Sequence, residues 1–127
     1  MTDKTINSIP LFVQQNKVFQ TQVFCTIQFE AIHNWPGCPF EEVAYLRDLH
    51  RHVFHIKAYK DVNHDDRDVE FIRLKHAIIH FLDIKYPIRV LGSISCEMLA
   101  RQLISEFDLS KCEVSEDNEN GAVLTVI

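Results

Sequence analysis

The stretch VFCTIQFEAIH, residues 23–33, decides the fold together with HRHVFHIKAYK, residues 50–60. In each stretch every second residue is apolar, except for histidines at one end, and this alternation is typical of a β-strand with one buried face. The histidine of the first strand comes last, whereas the two histidines of the second come first. If the strands pair antiparallel, His33, His50 and His52 meet at one rim of the buried face.

Three histidines in this arrangement predict a metal site. A lone histidine on an apolar face is more often a satisfied, partly buried side chain, because histidine has only an intermediate preference for burial. Here two of them share one strand face as an H-x-H pair, and the third lies at the matching end of the partner strand. Three neutral imidazoles around an open fourth position form a zinc site of the catalytic kind. We therefore predict that His33, His50 and His52 bind Zn²⁺.

Length and charge narrow the class of protein. The chain has 127 residues, which predicts one domain, and its net charge of −5 argues against a nucleic-acid-binding surface. The N-terminal residues lack the apolar core of a signal peptide, and no apolar run is long enough to span a membrane. The four cysteines include no C-x-x-C pair. These features predict a reduced, cytoplasmic protein without nucleic-acid or membrane partners.

The order of elements predicts an α+β domain. Residues 1–21 are interpreted as an N-terminal extension, in which residues 9–13 could form a short edge segment because an edge tolerates Pro10. Two strands, two helices and two further strands then follow, which predicts a four-stranded antiparallel sheet with both helices on one face. In chain order, the predicted elements are strands at 22–33 and 50–60, a short helix within 40–49, a charged turn at 61–68, helices at 68–83 and 96–107 with Asp68 and Ser95 as N-caps, and strands at 111–117 and 122–127.

Glu116 is a charged residue on a strand face that should be buried. It follows Cys112 and Val114 at a spacing of two, and a carboxylate on an inward face costs free energy unless a donor satisfies it. A ligand with adjacent N–H and amino groups, such as a pterin or a guanine, would pair with both oxygens. Alternatively, Glu116 is simply solvated near a hairpin tip, because Asn120-Gly121 predicts a type I′ turn that pairs Glu116 with Thr125.

Other reactive side chains give weaker signals. His76 and His80 lie four residues apart in the first helix, but on its polar face, which favours a solvated pair over a metal site. Cys38 follows a Pro-Gly pair in a loop, and the nearby carboxylates of Glu41 and Glu42 disfavour a thiolate, so a loop cysteine without function is the better interpretation. The sequence contains no glycine-rich phosphate loop and no G-x-S-x-G motif.

Five short segments, in this order, resemble the 6-pyruvoyl-tetrahydropterin synthase and 6-carboxy-tetrahydropterin synthase family. The segments are Phe29–His33, similar to F-x-A-x-H; His50–His52, similar to H-G-H; Val69–Lys75, similar to V-x-D-F-x-x-L-K; Ser95–Ala100, similar to P-T-x-E-x-L-A; and Val114–Glu116, similar to V-x-E-T. The resemblance covers residues 22–127 and implies a single domain with the tunnelling fold (T-fold). In this fold β-β-α-α-β-β subunits assemble into oligomeric barrels.

The resemblance also implies an activity and a set of site residues. His33, His50 and His52 would be the zinc ligands, and Glu116 would anchor a pterin-like or purine-like substrate, often at a subunit interface. The activity it implies is that of a zinc-dependent lyase acting on a dihydroneopterin-triphosphate-like substrate, in the synthesis of pterins or of the 7-deazaguanine precursor of queuosine. The resemblance further implies a homo-oligomer.

The sequence departs from the family where proton transfer is catalysed. Leu46 stands at the position of the family's catalytic cysteine and Ile84 at that of its catalytic histidine. A positioned acid or base typically contributes about 10²–10⁴-fold to a rate. The candidates that remain for it are Asp83, His80 and Cys38, with His55, Asp48 and Glu42 as further alternatives. The alternative is a catalytically altered or inactive T-fold protein that binds a pterin-like or guanine-like ligand. A structural protein without metal is the third interpretation.

Overall fold

The computed structural model describes residues 3–6, 9–14 and 16–127. Its elements in chain order are β1 (Asp3–Ile6), β2 (Ile9–Gln14), β3 (Lys17–Gln20), β4 (Gln22–His33), a 3₁₀ segment (Glu41–Arg47), β5 (His50–Asp61), α1 (Phe71–Lys85), β6 (Val90–Gly92), α2 (Cys96–Phe107), β7 (Lys111–Glu116) and β8 (Asn120–Thr125). The first three strands form a small sheet in the order β1-β2-β3, and the others form a second sheet in the order β6-β4-β5-β7-β8. Within the described residues, no helix combines the length and the apolar character needed to cross a membrane.

The small N-terminal sheet corrects the prediction of a short edge segment at residues 9–13. β2 pairs with both β1 and β3, so it is the middle strand rather than an edge. Pro10 is the second residue of β2 and lies opposite Thr5. A proline near the start of a strand removes a single N–H donor from the ladder, which a middle strand can accommodate at this position.

The predicted α+β class is confirmed, but the main sheet is five-stranded and mixed rather than four-stranded and antiparallel. The additional strand, β6, runs parallel to β4 at its histidine end, with Ile32 opposite Val90 and His33 opposite Gly92. Three residues are too few to show a periodic pattern, and this is why the sequence did not predict β6.

The predicted antiparallel pairing of β4 with β5 is confirmed. Phe29 lies opposite Phe54, Ala31 opposite His52 and His33 opposite His50. This register places the apolar residues of both strands on one face and brings their histidines to the same end of it.

The core lies between that face and the two α-helices. Along α1, Leu74, Ile78 and Leu82 recur every fourth residue and form its buried side. α2 packs mainly against β7 and β8. The other buried members of the core between the sheet and the helices are Cys25, Ile27, Phe29, Ala31, Phe54, Ile56, Ala58, Tyr86, Leu91, Cys96, Leu99, Ala100, Leu103, Leu109, Cys112 and Val114.

The start of α2 agrees with its predicted cap. The hydroxyl oxygen of Ser95 accepts a hydrogen bond from the backbone N–H of Met98 at 3.1 Å. This bond satisfies one of the N–H groups that the first turn of a helix leaves without a partner. β6, which pairs with the histidine end of β4, ends three residues before Ser95. The start of α2 therefore lies close to that end of β4.

The start of α1 differs from its prediction. Its N-cap is Glu70 rather than Asp68, and the Glu70 carboxylate accepts from the N–H of Ile72 at 3.0 Å. Asp68 is already occupied in the preceding loop, where it accepts from the N–H of Asn63 at 2.7 Å. The helix therefore begins at Phe71, because only Glu70 has a free carboxylate at the right place for the first turn.

The β7–β8 hairpin turns earlier than the sequence predicts. Asp117 and Asn118 both have left-handed backbone angles, with φ of 55° and 60°, and the N–H of Glu119 donates to the carbonyl of Glu116. Asp and Asn tolerate this conformation better than most residues. The predicted turn at Asn120-Gly121 is therefore wrong, since both residues lie within β8.

The register of the hairpin explains the earlier turn. Glu116 pairs with Asn120 instead of Thr125. As a result Ala122 and Leu124 pack against the core. The predicted register differs by an odd number of residues, so it would turn these two side chains to the opposite face of the sheet. Burial of Ala122 and Leu124 outweighs the local preference of the Asn-Gly dipeptide for a turn.

Candidate metal centre

Four ligand-type side chains meet where β4, β5 and β7 lie side by side. His33 ends β4 directly opposite His50, which begins β5. His52 follows on the same face, and Glu116 ends β7 opposite Phe54. One ligand atom from each of these three histidines and from Glu116 lies within 4.8 Å of the other three. The predicted convergence of the histidines is thus present, and Glu116 belongs to the same cluster.

The histidine rings are held by packing against one another and against Phe54. The ring centroids of His33 and His50 are 4.5 Å apart, and His33 meets the fully buried Phe54 edge-on at 5.1 Å. His52 meets Phe54 in the same way at 5.9 Å. His33 is the most buried of the three, with 9% of its surface exposed. Rings wedged in this way have little freedom to turn away from the common centre.

Hydrogen bonds define which nitrogen of each ring carries a proton. The Nδ1 atoms of His33 and His50 lie 2.9 and 2.8 Å from the backbone carbonyl oxygens of Ile94 and Asp48, respectively. Nδ1 of His52 lies 2.6 Å from Oδ2 of Asp117. Carbonyl and carboxylate oxygens only accept, so each Nδ1 donates, and in a neutral ring Nε2 then carries the free lone pair. Metal-binding histidines commonly have this second bond, which orients the ring and sets its tautomer.

Two of these Nε2 atoms, those of His33 and His52, lie close to the carboxylate of Glu116. Oε2 of Glu116 is 2.7 Å from Nε2 of His33 and 3.2 Å from Nε2 of His52. Despite this proximity the Nε2 of His33 is not aligned for a hydrogen bond, and it has no partner among the described residues although it is buried. A lone pair against a carboxylate oxygen is repulsive, so this arrangement needs a positive charge at its centre, either a proton on His33 or a metal ion.

Without a metal, the contact between His33 and Glu116 changes the pKa of both groups. The close Glu116 carboxylate is the largest influence on His33 and raises its pKa, with burial acting in the opposite direction. The same contact lowers the pKa of Glu116, again against burial. Both shifts favour the charged pair, which means that the site already attracts positive charge.

The donor set fits a divalent transition metal. Three imidazole nitrogens with one carboxylate oxygen nearby are ligands that zinc accepts, and the fourth position can remain available to a small molecule. The cluster of His33, His50, His52 and Glu116 could therefore hold a metal ion.

A cleft of about 530 Å³ opens next to the cluster. His33, His50 and Glu116 are among the residues that line it, and so are Trp35 and Leu46. The remaining lining residues are Asn34, Ser93, Ile94, Ser95, Cys96, Glu97, Met98, Asn120 and Gly121. A depression of similar volume on the other face of the sheet contains none of the four cluster residues, so it is not the candidate site.

Cys96 lines the cleft, and sequence reasoning did not single it out. Burial, and then the negative charges of Glu116 and Glu97, raise the pKa of its thiol to about 12. In the metal-free protein Cys96 is therefore a thiol rather than a thiolate, and it is not a nucleophile.

The predicted acid–base candidates lie elsewhere. Cys38 is buried, with its sulfur 3.8 Å from the carbonyl oxygens of Phe40 and Val43. Asp83 pairs with Arg89 at 2.6 Å, and His80 is exposed on α1. None of Cys38, His80 and Asp83 is among the residues that line the cleft. Leu46, at the position of the family's cysteine, does line it.

In comparisons with models of protein families and with curated proteins, no match to this chain was found. The function is therefore inferred from the residues of the chain and from the geometry of the cluster and the cleft.

Two parts of the site could not be recognised in the sequence. The carbonyl of Ile94 reaches His33 from 61 residues away, and the carboxylate of Asp117 reaches His52 from 65 residues away. The local sequence indicates only that the Asp117-Asn118 pair could form a tight turn, because these residue types are common there.

Proposed function

We propose that the protein is a divergent, zinc-dependent lyase of the 6-pyruvoyl/6-carboxy-tetrahydropterin synthase type, with the T-fold as its architecture and a dihydroneopterin-triphosphate-like substrate. The observation that carries the proposal is the shared orientation of the three histidines. Each Nδ1 faces an acceptor oxygen, which leaves Nε2 as the free ligand atom of each ring, and one ligand atom of each ring lies within 4.8 Å of those of the other two. Ordinary buried histidines satisfy their two nitrogens separately and have no reason to converge in this way.

Zinc is the metal that we assign to the site. A nitrogen-rich set with an open position is typical of catalytic zinc, whereas magnesium and calcium prefer sites made of oxygen ligands. Zinc bound here would supply a Lewis acid that polarises an oxygen of the bound ligand. His33, His50 and His52 would hold the ion, and the carbonyls of Ile94 and Asp48 would keep two of the rings in the ligating tautomer.

Glu116 would orient the ligand in the cleft. Glu116 lines the cleft, and its carboxylate can accept two hydrogen bonds from adjacent N–H and amino groups of a pterin-like or purine-like ring. A volume of about 530 Å³ is in the range of small-molecule sites. Trp35, which is 45% exposed and lines the same cleft, offers an aromatic surface for such a ring.

A second candidate function is ligand binding without turnover. The observation that favours it is the composition of the cleft wall, where Leu46 replaces a cysteine and where none of Cys38, His80 and Asp83 is found. Such a protein would keep the metal and the ligand cleft but lack a positioned acid or base. A measurement of substrate turnover distinguishes the two functions directly, because only the lyase converts its ligand.

We further propose that the chain assembles into a homo-oligomeric, cytoplasmic barrel with sites at subunit interfaces. The support is the pair of sheet edges. β6 and β8 end the five-stranded sheet, and on their outer sides no other described strand pairs with them. Such edges are usually covered, and closure into a barrel covers them all.

The metal assignment is tested by the zinc content of purified variants. We expect about one zinc per chain in the wild type and loss of zinc in His50→Ala, because two imidazoles and a carboxylate bind the ion more weakly. His55→Ala is the matched control, since His55 lies on the same strand but lines the opposite face of the sheet. Equal zinc in both variants, or none in the zinc-treated wild type, contradicts the metal centre.

The substrate assignment is tested with the zinc-loaded protein and dihydroneopterin triphosphate. Conversion of the side chain, followed by chromatography, supports the lyase, whereas saturable binding without conversion supports the second candidate. Glu116→Gln should weaken binding, and Glu113→Gln is its control on the outer side of β7, where Glu113 accepts from Tyr59. Neither binding nor conversion in the wild type overturns both functions.

A further inference from the structure

Asp117 joins the third histidine to the backbone of its own strand. Its Oδ2 lies 2.6 Å from Nδ1 of His52, and its Oδ1 accepts from the N–H of Val53 at 2.9 Å. The N–H of Asp117 in turn donates to the carbonyl of Val53 at 2.8 Å. Both oxygens of one carboxylate thus accept from consecutive residues of β5.

The backbone of the turn directs this carboxylate toward β5. Asp117 follows the last residue of β7 and has a φ of 55°, which reverses the chain immediately after Glu116. Its side chain is 43% exposed, so it contributes nothing to the apolar core. A surface carboxylate that accepts two N–H groups beside a metal cluster has a more specific use than solvation.

The three histidines differ in what holds their Nδ1 atoms. His33 and His50 donate to backbone carbonyls, which every amino acid possesses, so no substitution of those partners removes the acceptor. His52 donates to a side chain. The proton position on His52 therefore depends on the residue type at position 117, whereas that of the other two depends only on the fold.

We infer that Asp117 is a positioning residue that fixes the Nδ1–H tautomer of His52 and thereby makes that ring a metal ligand. The inference rests on the metal centre of the proposed function, but it concerns a residue to which neither that function nor the family resemblance gives a role.

Substitution of Asp117 by asparagine tests the inference, because it replaces one of the two hydrogen-bond acceptors of the carboxylate by a donor. The pocket around residue 117 presents two N–H donors, Nδ1–H of His52 and N–H of Val53, and an amide has only one oxygen to accept from them. In either orientation of the amide that Asp117→Asn introduces, two donors would face each other. Transfer of the His52 proton from Nδ1 to Nε2 relieves this conflict, and the Nε2–H form has no lone pair for the metal at that atom.

The first experiment reads the tautomers of the metal-free protein. Long-range ¹H–¹⁵N correlation spectra at about pH 8.5, about two units above the ordinary pKa of histidine, distinguish Nδ1–H, Nε2–H and doubly protonated rings. We expect the Nδ1–H form for His52 in the wild type and the Nε2–H form for His52 in Asp117→Asn, with the spectra of His33 and His50 unchanged between the two proteins. His33 and His50 serve as internal references. An Nε2–H ring at His52 in the wild type, or no change in the variant, overturns the inference.

The second experiment measures zinc affinity by competition with a chelator. Loss of an outer-shell partner of this kind typically weakens metal binding by about 10–100-fold, which we expect for Asp117→Asn. The matched control is Asp66→Asn, because Asp66 also makes an exposed 2.6 Å contact, to Arg67, in a loop away from the cluster. The control should leave the affinity unchanged. Unchanged affinity in Asp117→Asn, despite a changed tautomer, overturns the positioning role.

A third variant separates positioning from a merely structural role. Asp117→Ala removes both acceptors but introduces no donor, so water can still accept from Nδ1 of His52. Positioning predicts that asparagine weakens zinc binding more than alanine does. A structural role predicts the reverse order, because asparagine preserves the shape and the turn preference of aspartate better. If the wild type binds no zinc, the metal centre fails, while the tautomer spectra still decide the effect of Asp117 on His52.

Discussion

At the scale of single residues, the contact between His33 and Glu116 makes the metal-free protein sensitive to pH. The contact raises the pKa of His33 above its ordinary 6.5 and lowers that of Glu116 below its ordinary 4.5. The contribution of His33 to stability is fully present below pH 6.5 and is lost as pH rises through the raised pKa. That of Glu116 is present above pH 4.5 and is lost as pH falls through the lowered pKa. The pair therefore stabilises the metal-free fold most between pH 4.5 and pH 6.5, where both contributions are present.

Glu116→Gln should therefore destabilise the metal-free protein in a pH-dependent way. With a chelator present, the difference in free energy of unfolding between variant and wild type should be larger near about pH 5.5 than at an alkaline pH above the raised pKa of His33. Urea denaturation at the two pH values measures it. If Glu116→Gln changes the free energy of unfolding equally at both pH values, the charged pair of His33 and Glu116 is contradicted. Zinc should reverse the trend for the wild type, because protons compete with the metal for the imidazoles at low pH.

At the scale of elements, Gly121 lies where the backbones of β8 and β7 approach each other closely. A Cβ atom added there would meet the carbonyl oxygen of Val114 and would lie 2.5 Å from the Cα of Ser115. Both are backbone atoms of the paired strand, so neither can rotate out of the way. The strands would have to separate next to Glu116, which ends β7 and belongs to the candidate metal centre.

Gly121→Ala is accordingly expected to destabilise the fold by about 1–3 kcal/mol, the usual range for overpacking. Gly37→Ala is its control, because the nearest atom to an added Cβ there is 4.0 Å away and belongs to the Trp35 side chain. The control should change the free energy of unfolding by less than about 0.5 kcal/mol. Equal effects of both substitutions in urea denaturation would show that the strand contact is not the cause.

At the scale of the whole molecule, the outer edges of β6 and β8, with which no other described strand pairs, predict association. We expect the native mass, measured by light scattering after gel filtration, to be a multiple of the 14.8 kDa chain mass. Addition of a chelator should leave that mass unchanged, since β6 and β8 do not need the metal in order to present their edges. A mass of one chain at micromolar concentration, with or without zinc, contradicts the proposed barrel.

The sequence predicted those features that depend on a few neighbouring residues. The alternation in β4 and β5 predicted two strands, their pairing and the meeting of three histidines, because side chains on a strand alternate between its faces. The start of α2 followed from the Ser95 cap. The α+β class followed from the order of the elements.

The features that the sequence did not predict each depend on contacts between distant segments. β6 is three residues long and exists because β4 offers it an edge. The Asn120-Gly121 turn was wrong because burial of Ala122 and Leu124 sets the register of the hairpin. The same register moves the turn to Asp117, whose carboxylate then reaches His52.

The sequence by itself thus determined which side chains share a face, since that follows from the local geometry of the backbone. Only the tertiary structure decided which oxygens face the histidine rings, that Glu116 completes their cluster, and that Cys38, His80 and Asp83 lie outside the cleft. The physical reason is that strand register and loop closure are set by burial of the whole core, which no short stretch of residues encodes.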